Sequence, residues 1–263
     1  MHYMRITVTE NQTPRETTTR QRLQSWFREQ PGKLVLEMEQ RKLNQLFPDL
    51  FGYHIIQVGC LNKREFMQSS RISHKVVLRL DEDGDSEDPA DLECKSDALC
   101  LDADCIDVVF MPHVLEFTEN PHRTLREAAR ILIGDGHLVI CGFNPWSLWG
   151  VWRFFLVWRE LPPWCGHFFG QARLKDWLNL LDFELVTIDK FFYRPPLKNL
   201  GVMRRLGFME KLGNYCWSWF GGAYIIVAKK RVIPMTPIKL SWKEKRRLIS
   251  SGLVEPSTRT GNS

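Results

Sequence analysis

Residues 104–143, DCIDVVFMPHVLEFTENPHRTLREAARILIGDGHLVICGF, combine two largely apolar runs of strand length with an amphipathic helical pattern between them. The runs at 106–111 and 137–141 are rich in β-branched residues, which favours strands of a sheet covered on both faces. Asn120-Pro121 is a favourable helix start, and Gly134-Asp135-Gly136 is a favourable turn after the helix. The pattern predicts a crossover unit in which both strands are parallel.

Polar residues follow both predicted strands. In open α/β sheets, ligands bind beyond the carboxyl ends of the strands. His113 follows the first strand and Asn144 follows the second. The sequence therefore predicts a functional site at this edge of the sheet.

This segment resembles the type 11 subfamily of class I S-adenosylmethionine-dependent methyltransferases. The resemblance rests on His113, on Val-Leu-Glu at 114–116, and on ARILIGDG at 129–136. A narrower resemblance, carried by LEF at 115–117 and GFNPWSLWG at 142–150, is to the YafS-like methyltransferases of proteobacteria. It spans roughly residues 30–233.

The resemblance implies a Rossmann-like α/β fold with a seven-stranded methyltransferase sheet, mostly parallel, with helices on both faces. The sequence offers seven candidate strands, of which the last two are expected to form an antiparallel pair at one edge. These candidates are residues 53–58, 75–80, 92–95, 106–111, 137–141, 184–192 and 223–230.

The chain is interpreted as a single domain with appendages. Residues 1–20 are a polar lead-in that we expect to be disordered, and residues 21–233 form the methyltransferase domain. The domain opens with a helical pair at 23–47 that breaks at Pro31-Gly32, and it carries a Trp-rich insertion at 143–169. Residues 234–263 form a basic, flexible tail.

The loop after the first strand is where the family binds its cofactor, S-adenosyl-L-methionine, through an acidic residue and three glycines. The chain has Gln57 at the acidic position and keeps only Gly59 of the glycines, next to Cys60. Leu61 stands where the methionine part of the cofactor passes in the family. The resemblance assigns Gln57, Gly59 and Cys60 to cofactor binding, although the loop departs from the family pattern.

Three further residues are assigned to the cofactor by the resemblance. Asp81 lies at the end of the second strand, where the family has a carboxylate that accepts both ribose hydroxyls. Asp97-Ala98 precedes the fourth strand, where the family contacts the adenine amine. An alternative for Asp81 is a mobile acidic surface loop, because residues 81–97 contain nine acidic residues and one lysine.

His113 is the predicted catalytic residue. It follows the fourth strand beside the expected methyl donor, and an imidazole can accept a proton from a nucleophile near neutral pH. Two alternatives remain for His113, a contact to the cofactor and a structural role at the helix entry. Glu116 fits a first-turn residue favoured by the helix dipole.

The Trp-rich insertion contains ten Trp and Phe residues in 27 positions. Three interpretations stay open: a lid packed on its own domain, a pocket for an apolar or aromatic acceptor, or contact with a membrane surface. The pocket interpretation assigns Asn144, Trp146, Trp149 and Arg153 to the substrate.

Charge and cysteine content bear on partners and compartment. The formal charge is +5, of which the tail contributes most with six basic and two acidic residues, so we do not expect a nucleic-acid partner. The seven cysteines form no CxxC pair, and they fit reduced residues of a cytoplasmic protein without a metal site.

Three functions follow from these patterns. The first is methyl transfer from S-adenosylmethionine to an apolar or aromatic small molecule. The second is a non-catalytic binding protein of the same fold with a degenerate cofactor loop. The third is peripheral binding to a membrane or nucleic acid through the basic tail, which would be weakened by salt.

Overall fold

The fold is described from a computed structural model, which covers residues 19–61, 65–83, 90–156, 163–195 and 220–232, together with residues 201, 205–207 and 210. The predicted lead-in, apart from its last two residues, and the predicted tail from residue 234 lie outside the described residues. A boundary between two compact units falls after Val232.

The described chain contains five α-helices and seven strands. The helices are α1 (Thr19–Arg28), α2 (Gly32–Leu46), α3 (Pro121–Ile131), α4 (Leu148–Leu156) and α5 (Gln171–Leu180). The strands are β1 (His54–Val58), β2 (His74–Leu80), β3 (Leu92–Cys94), β4 (Ile106–Pro112), β5 (Leu132–Phe143), β6 (Phe183–Phe191) and β7 (Ala223–Lys230).

The seven strands form one sheet in the order β3-β2-β1-β4-β5-β7-β6. Neighbouring strands from β3 to β5 run parallel, and β7 runs antiparallel to both β5 and β6. The predicted mostly parallel seven-stranded sheet, including its antiparallel edge, is confirmed.

The crossover unit predicted for residues 104–143 is present, with one difference in its second strand. Strand β5 begins at Leu132, directly after α3, and contains Gly134-Asp135-Gly136, which was expected to be a turn outside the strand. A register irregularity between Ile106 and Val108 accompanies these extra residues where β4 pairs with β5. The Asn120 side chain also makes no capping hydrogen bond.

Helices cover both faces of the sheet, as predicted. On one face, Leu23 and Phe27 of α1 and Val35 of α2 pack with buried residues of β1, β4 and β5. On the other face, Leu125 of α3 and Leu174 of α5 join the alternate residues of the same strands. Because both faces are buried, the central strands are apolar at almost every position.

Helices α1 and α2 fit the predicted helical pair, and the break at Pro31-Gly32 is confirmed. A side chain at Gly32 has no room, because a Cβ there would lie 2.4 Å from the carbonyl oxygen of Trp26. The helices of the described chain include none with the length and apolarity needed to cross a membrane.

Candidate functional site

The parallel strands bring four loops to one edge of the sheet. Gly59 follows β1, Asp83 follows β2, His113 follows β4 and Asn144 follows β5. The carboxyl edge of such a sheet is where ligands bind in open α/β folds. We define these four loops, together with the side chains that helices α1 and α2 place on them, as the carboxyl-edge site.

Gln57 closes the loop after β1 on itself. Its side chain is fully buried, and Nε2 donates hydrogen bonds to the carbonyl oxygens of Gly59 at 3.0 Å and Leu61 at 2.7 Å. Its Oε1 atom is buried and has no hydrogen-bond partner among the described residues. Gln57 thus shapes the loop with its donor, while its acceptor is left without a protein partner.

Helix α1 places Arg20 directly over Gly59. Gly59 adopts a φ of +89°, and a Cβ there would lie 2.4 Å from Nη2 of Arg20, so the residue must be glycine for two reasons. The Nη1 atom of Arg20 is buried and has no hydrogen-bond partner within the part of the chain that the structure describes. A guanidinium therefore covers the only family glycine that the loop retains.

Arg20 forms a buried ion pair with Asp83. Its Nε atom donates to Oδ1 of Asp83 at 2.6 Å, and both side chains are buried. Oδ2 of Asp83 accepts hydrogen bonds from the amides of Leu80 at 2.8 Å and Cys60 at 3.3 Å. One carboxylate thus joins α1, β2 and the β1 loop.

Asp83 is the buried carboxylate after β2, whereas Asp81 is exposed. The sequence predicted an acid at this strand end but gave no indication that Asp83, two residues further on, is the one that is buried. The ribose role assigned to Asp81 stays a prediction.

Cys60 is buried beside this ion pair. Desolvation raises the pKa of its thiol to about 11, and the negative charge of Asp83 adds to the increase. The thiol is therefore protonated at neutral pH and is a poor nucleophile there. The predicted contact of Cys60 with the cofactor stays a prediction that rests on its position in the loop after β1.

Asp97 and Ala98 lie on the surface turn after β3. The Asp97 carboxylate is about one-third exposed and lies 3.6 Å from Nη1 of Arg123. Ala98 is exposed and makes an isolated antiparallel bridge with Lys95. Asp97 is thus accessible to a ligand, and its adenine-side role stays a prediction.

A disulfide joins Cys94 to Cys100 across this turn, with their Cα atoms 5.6 Å apart. The expectation that every cysteine is reduced is therefore wrong for this pair. The spacing carried no signal for a disulfide, because only the fold of the turn returns Cys100 to the end of β3. Among the described residues, Cys60, Cys105 and Cys141 are free cysteines.

His113 lies between two carboxylates in a fully buried cluster. Its Nδ1 atom is 2.8 Å from Oε2 of Glu116, and its Nε2 atom is 2.7 Å from Oε1 of Glu39, on α2. Its φ of +47° lies in the left-handed region, which costs a non-glycine residue about 1 kcal/mol. This backbone turn ends β4 and directs the ring toward both acids.

The protonation state of His113 follows from this geometry. Burial alone would lower its pKa, but the charges of Glu39 and Glu116 and their hydrogen bonds outweigh it and raise the pKa to about 10. At neutral pH the ring is therefore an imidazolium that donates to both acids. Such a ring has no lone pair for a substrate proton, so this arrangement favours the structural alternative over a general base.

Glu116 connects the His113 cluster to β5. Its Oε1 atom accepts a hydrogen bond from the backbone amide of Phe143. The centroid of the Phe143 ring lies 4.3 Å from the centroid of the His113 ring. The centroid of the Phe27 ring, on α1, lies 5.2 Å from the same imidazole. The expectation that Glu116 lies in the first turn of a helix is wrong, because α3 begins only at Pro121. The sequence also gave no indication of its contact with β5 or of the part played by Glu39.

The predicted substrate residues divide into two groups. Trp149 is buried and donates from Nε1 to the carbonyl oxygen of Arg194, and Arg153 donates from Nε to the carbonyl oxygens of Trp164 and Gly166. Both hold the Trp-rich segment onto the domain. Asn144 and Trp146 instead reach a cavity, so the structure does not bring all four residues together.

The cavity has a volume of about 960 Å³ and lies between α2, α5, β6 and the loop after β5. Trp146, Tyr193 and Phe220 supply aromatic surface, and Asn144 and Gln171 supply polar groups. Lys42 and Asp189, which form an ion pair at 2.8 Å, lie at its wall. Its size and mixed lining suit a small organic molecule.

The described residues contain no group of three or more His, Cys, Asp or Glu side chains arranged to hold a metal ion.

Two sequence comparisons bear on this site. A methyltransferase-domain model matches residues 71–140, which run from β2 to β5. The uncharacterized protein YafS of Escherichia coli (strain K12) is 36% identical over 221 residues, covering 82% of this chain and 85% of that protein.

Solved structures show the same fold at low identity. An S-adenosylmethionine-dependent methyltransferase from Thermotoga maritima superposes with a TM-score of 0.55 at 15% identity, covering 80% of this chain and 99% of that one. A second, from Archaeoglobus fulgidus, gives a TM-score of 0.51 at 21% identity and covers 74% and 94% of the two chains.

Proposed function

The chain belongs to the YafS-like family of class I S-adenosylmethionine-dependent methyltransferases, and we propose that it transfers a methyl group to a small molecule with an apolar or aromatic body. The observation that carries the proposal is the cavity of about 960 Å³ beside the carboxyl edge of a methyltransferase sheet.

The lining of the cavity supports this class of acceptor. Trp146 and Phe220 expose more than half of their surface, so apolar area is available to a ligand. Asn144 anchors the wall through hydrogen bonds from Nδ2 to Gly221 and from the Trp146 amide to Oδ1. These contacts fix the position of Trp146 through its backbone and leave its ring available to a ligand.

The residues of the carboxyl-edge site fit the cofactor chemically. The guanidinium of Arg20 places Nη2 over Gly59, and its Nη1 has no hydrogen-bond partner among the described residues; it suits a carboxylate, which an arginine binds through paired hydrogen bonds. Asp97 supplies an accessible carboxylate that can accept from an amine or hydroxyl group. When bound, S-adenosylmethionine would supply a methyl group on a sulfonium.

His113 acts in this proposal as a positioning residue. Methyl transfer is an in-line substitution, which depends strongly on orientation and on exclusion of water. The imidazolium holds Glu39 of α2 and Glu116 together, and Glu116 holds the start of the loop after β5. It thereby sets the distance between the helical pair and the strand ends.

A second candidate is a non-catalytic binding protein of the same fold. The covering of Gly59 by Arg20 and the closure of the loop by Gln57 favour it, because both occupy space that a cofactor needs. In that case the cavity would bind its ligand without methyl transfer. The two functions differ in cofactor affinity.

Calorimetric titration of purified protein with S-adenosylmethionine and S-adenosylhomocysteine separates them, once the preparation has been shown to carry no bound cofactor. We expect both to bind. Asp97→Asn should weaken binding, whereas the matched control Asp176→Asn, an exposed position on α5, should not. No binding to folded wild-type protein would overturn the methyltransferase proposal.

Methyl transfer itself can be followed with radiolabelled S-adenosylmethionine and the organic-soluble fraction of a cell extract as acceptor. Label should enter that fraction with the wild type. Trp146→Ala should reduce transfer while leaving cofactor affinity unchanged, because Trp146 lines the cavity, whereas Gly59, Asp81 and Asp97, assigned to the cofactor, follow β1, β2 and β3.

A further inference from the structure

Among the described residues, helix α4 and the loop before it expose a largely apolar surface to solvent. Phe154 and Phe155 are 76% and 72% exposed, and Trp146 is 78% exposed. We call this set the α4 surface; its members are Trp146, Leu148, Val151, Trp152, Phe154 and Phe155. Single exposed apolar residues are ordinary, but six within ten positions mark an interaction surface.

The exposure does not reflect a detached helix. Trp149 on the opposite side of α4 is buried and stacks on Phe143, with centroids 5.6 Å apart and rings nearly parallel. Arg153 is tied to Trp164 and Gly166 and lies over the Phe168 ring. One side of the helix is thus firmly seated, and the other presents its apolar side chains to solvent.

The described parts of the connections that follow β5 and β6, within residues 143–169 and 190–222, carry more positive than negative charge. They contain four basic residues, Arg153, Lys190, Arg194 and Arg205, and one acidic residue, Glu210. Because β5 and β6 end at the same edge, both connections leave from the side of the sheet that carries α4. Arg205 in the second connection is exposed.

The apolar run is too short to cross a bilayer. It is bounded by Pro145 and Arg159 and is interrupted by Arg153, whereas a spanning helix needs about 20 consecutive apolar residues. Aromatic side chains combined with basic residues are typical of helices that lie at the interface of an anionic membrane.

We propose that the α4 surface docks on an anionic phospholipid membrane, with its aromatic side chains in the interface and the described basic residues of the two connections against the headgroups. A bilayer matches both properties of this region, because it supplies negative charge and an apolar layer that receives aromatic rings of any arrangement. A folded protein partner would need a matching shape, and nucleic acid offers no such apolar layer.

Docking would bring the cavity to the membrane, since Trp146 belongs both to the α4 surface and to the cavity lining. If the proposed methyl transfer holds, on which this step rests, the acceptor belongs to the amphipathic molecules that partition into a bilayer. Membrane binding itself is independent of methyl transfer, so the two can fail separately.

Flotation of the full-length protein with vesicles tests the docking. Vesicles of phosphatidylcholine alone are compared with vesicles that also contain phosphatidylglycerol, at low and high salt. We expect binding to the anionic vesicles that weakens with salt. The double variant Phe154→Ser, Phe155→Ser should bind the anionic vesicles at least about tenfold more weakly than the wild type, at an unchanged melting temperature.

The matched control is Phe51→Ser with Tyr53→Ser, two exposed aromatic residues just before β1, at the opposite edge of the sheet. This control should bind vesicles like the wild type. Equal loss in both double variants would indicate unspecific adsorption, and no flotation of the wild type would contradict the proposal directly.

Two other occupants give distinct results. If the surface joins two copies of the chain, the wild type sediments as a dimer and the Phe154→Ser, Phe155→Ser variant sediments as a monomer. Neither protein then binds vesicles. If it binds nucleic acid, a short RNA shifts the wild type but not the variant, again without vesicle binding. Either result would overturn membrane docking. Cofactor titration on the same preparations reports separately on the proposed function.

Discussion

Nε2 of His113 lies 2.7 Å from Oε1 of Glu39, and both side chains are completely buried although 74 positions separate them in the chain. This contact joins α2 to the end of β4. Since Glu116 holds the other ring nitrogen, a single imidazolium is shared between the helical pair and the carboxyl edge of the sheet.

The first prediction concerns pH. The pKa of His113 is raised from 6.5 to about 10 in the folded state, so its contribution to stability is fully present below about pH 6.5 and is lost as the pH rises through about 10. Replacing it with Gln leaves two buried carboxylates unpaired and should cost about 3–5 kcal/mol near neutral pH.

Urea unfolding of the wild type and His113→Gln over this pH range measures the effect. The difference in unfolding free energy between the two proteins should shrink as the pH rises. A difference that stays constant with pH would mean that the ring is neutral in the folded state.

The second prediction separates the two acids. Both oxygens of Glu116 accept hydrogen bonds, from His113 and from the Phe143 amide, whereas Oε2 of Glu39 has no partner among the described residues. In Glu116→Gln the side-chain NH2 group must face either the His113 ring N–H or the Phe143 amide, and neither of these can accept a hydrogen bond. Glu116→Gln should therefore destabilise the protein more than Glu39→Gln by about 1–2 kcal/mol. Urea unfolding at neutral pH compares them. Equal losses would contradict the asymmetry.

The third prediction concerns Arg20. If its guanidinium receives the cofactor carboxylate, Arg20→Ala should weaken S-adenosylmethionine binding by about tenfold or more. Arg20→Lys keeps the charge opposite Asp83 and should lose less. Arg22→Ala, an exposed position on the same helix, is the control and should bind normally.

Tighter binding by Arg20→Ala would instead show that Arg20 blocks the site and would support the non-catalytic candidate. Because Arg20→Ala leaves the Asp83 carboxylate buried without its ion pair, thermal melting of each variant must accompany the titrations.

The fourth prediction concerns the seating of α4. A Cβ at Gly150 would lie 1.8 Å from the carbonyl oxygen of Pro145, a backbone atom that cannot move aside alone. Gly150→Ala should therefore destabilise the protein by about 1–3 kcal/mol. At Gly170 the nearest atom to an added Cβ is 3.6 Å away, so Gly170→Ala should be nearly neutral. Thermal or urea unfolding distinguishes the two, and similar stabilities would contradict the packing of α4 against Pro145.

The strands were the most predictable part of the fold, because β-branched and apolar runs such as 106–111 carry a local signal. The limits of β5 were less predictable: Gly134 and Asp135 read locally as a turn, but pairing with β4 extends the strand through them. The disulfide between Cys94 and Cys100 was also missed, since five intervening residues give no indication of the turn that closes it.

By itself, the sequence determined the crossover unit, the strand ends that bear His113 and Asn144, and the methyltransferase resemblance, because these depend on residues close together in the chain. Only the tertiary structure decided that Arg20 covers Gly59, that Asp83 and not Asp81 is buried, and that Glu39 holds His113. Each of these is an electrostatic contact between distant segments. Burial removes the competing water and makes such pairs obligatory, but no local pattern specifies which partners the fold will bring together.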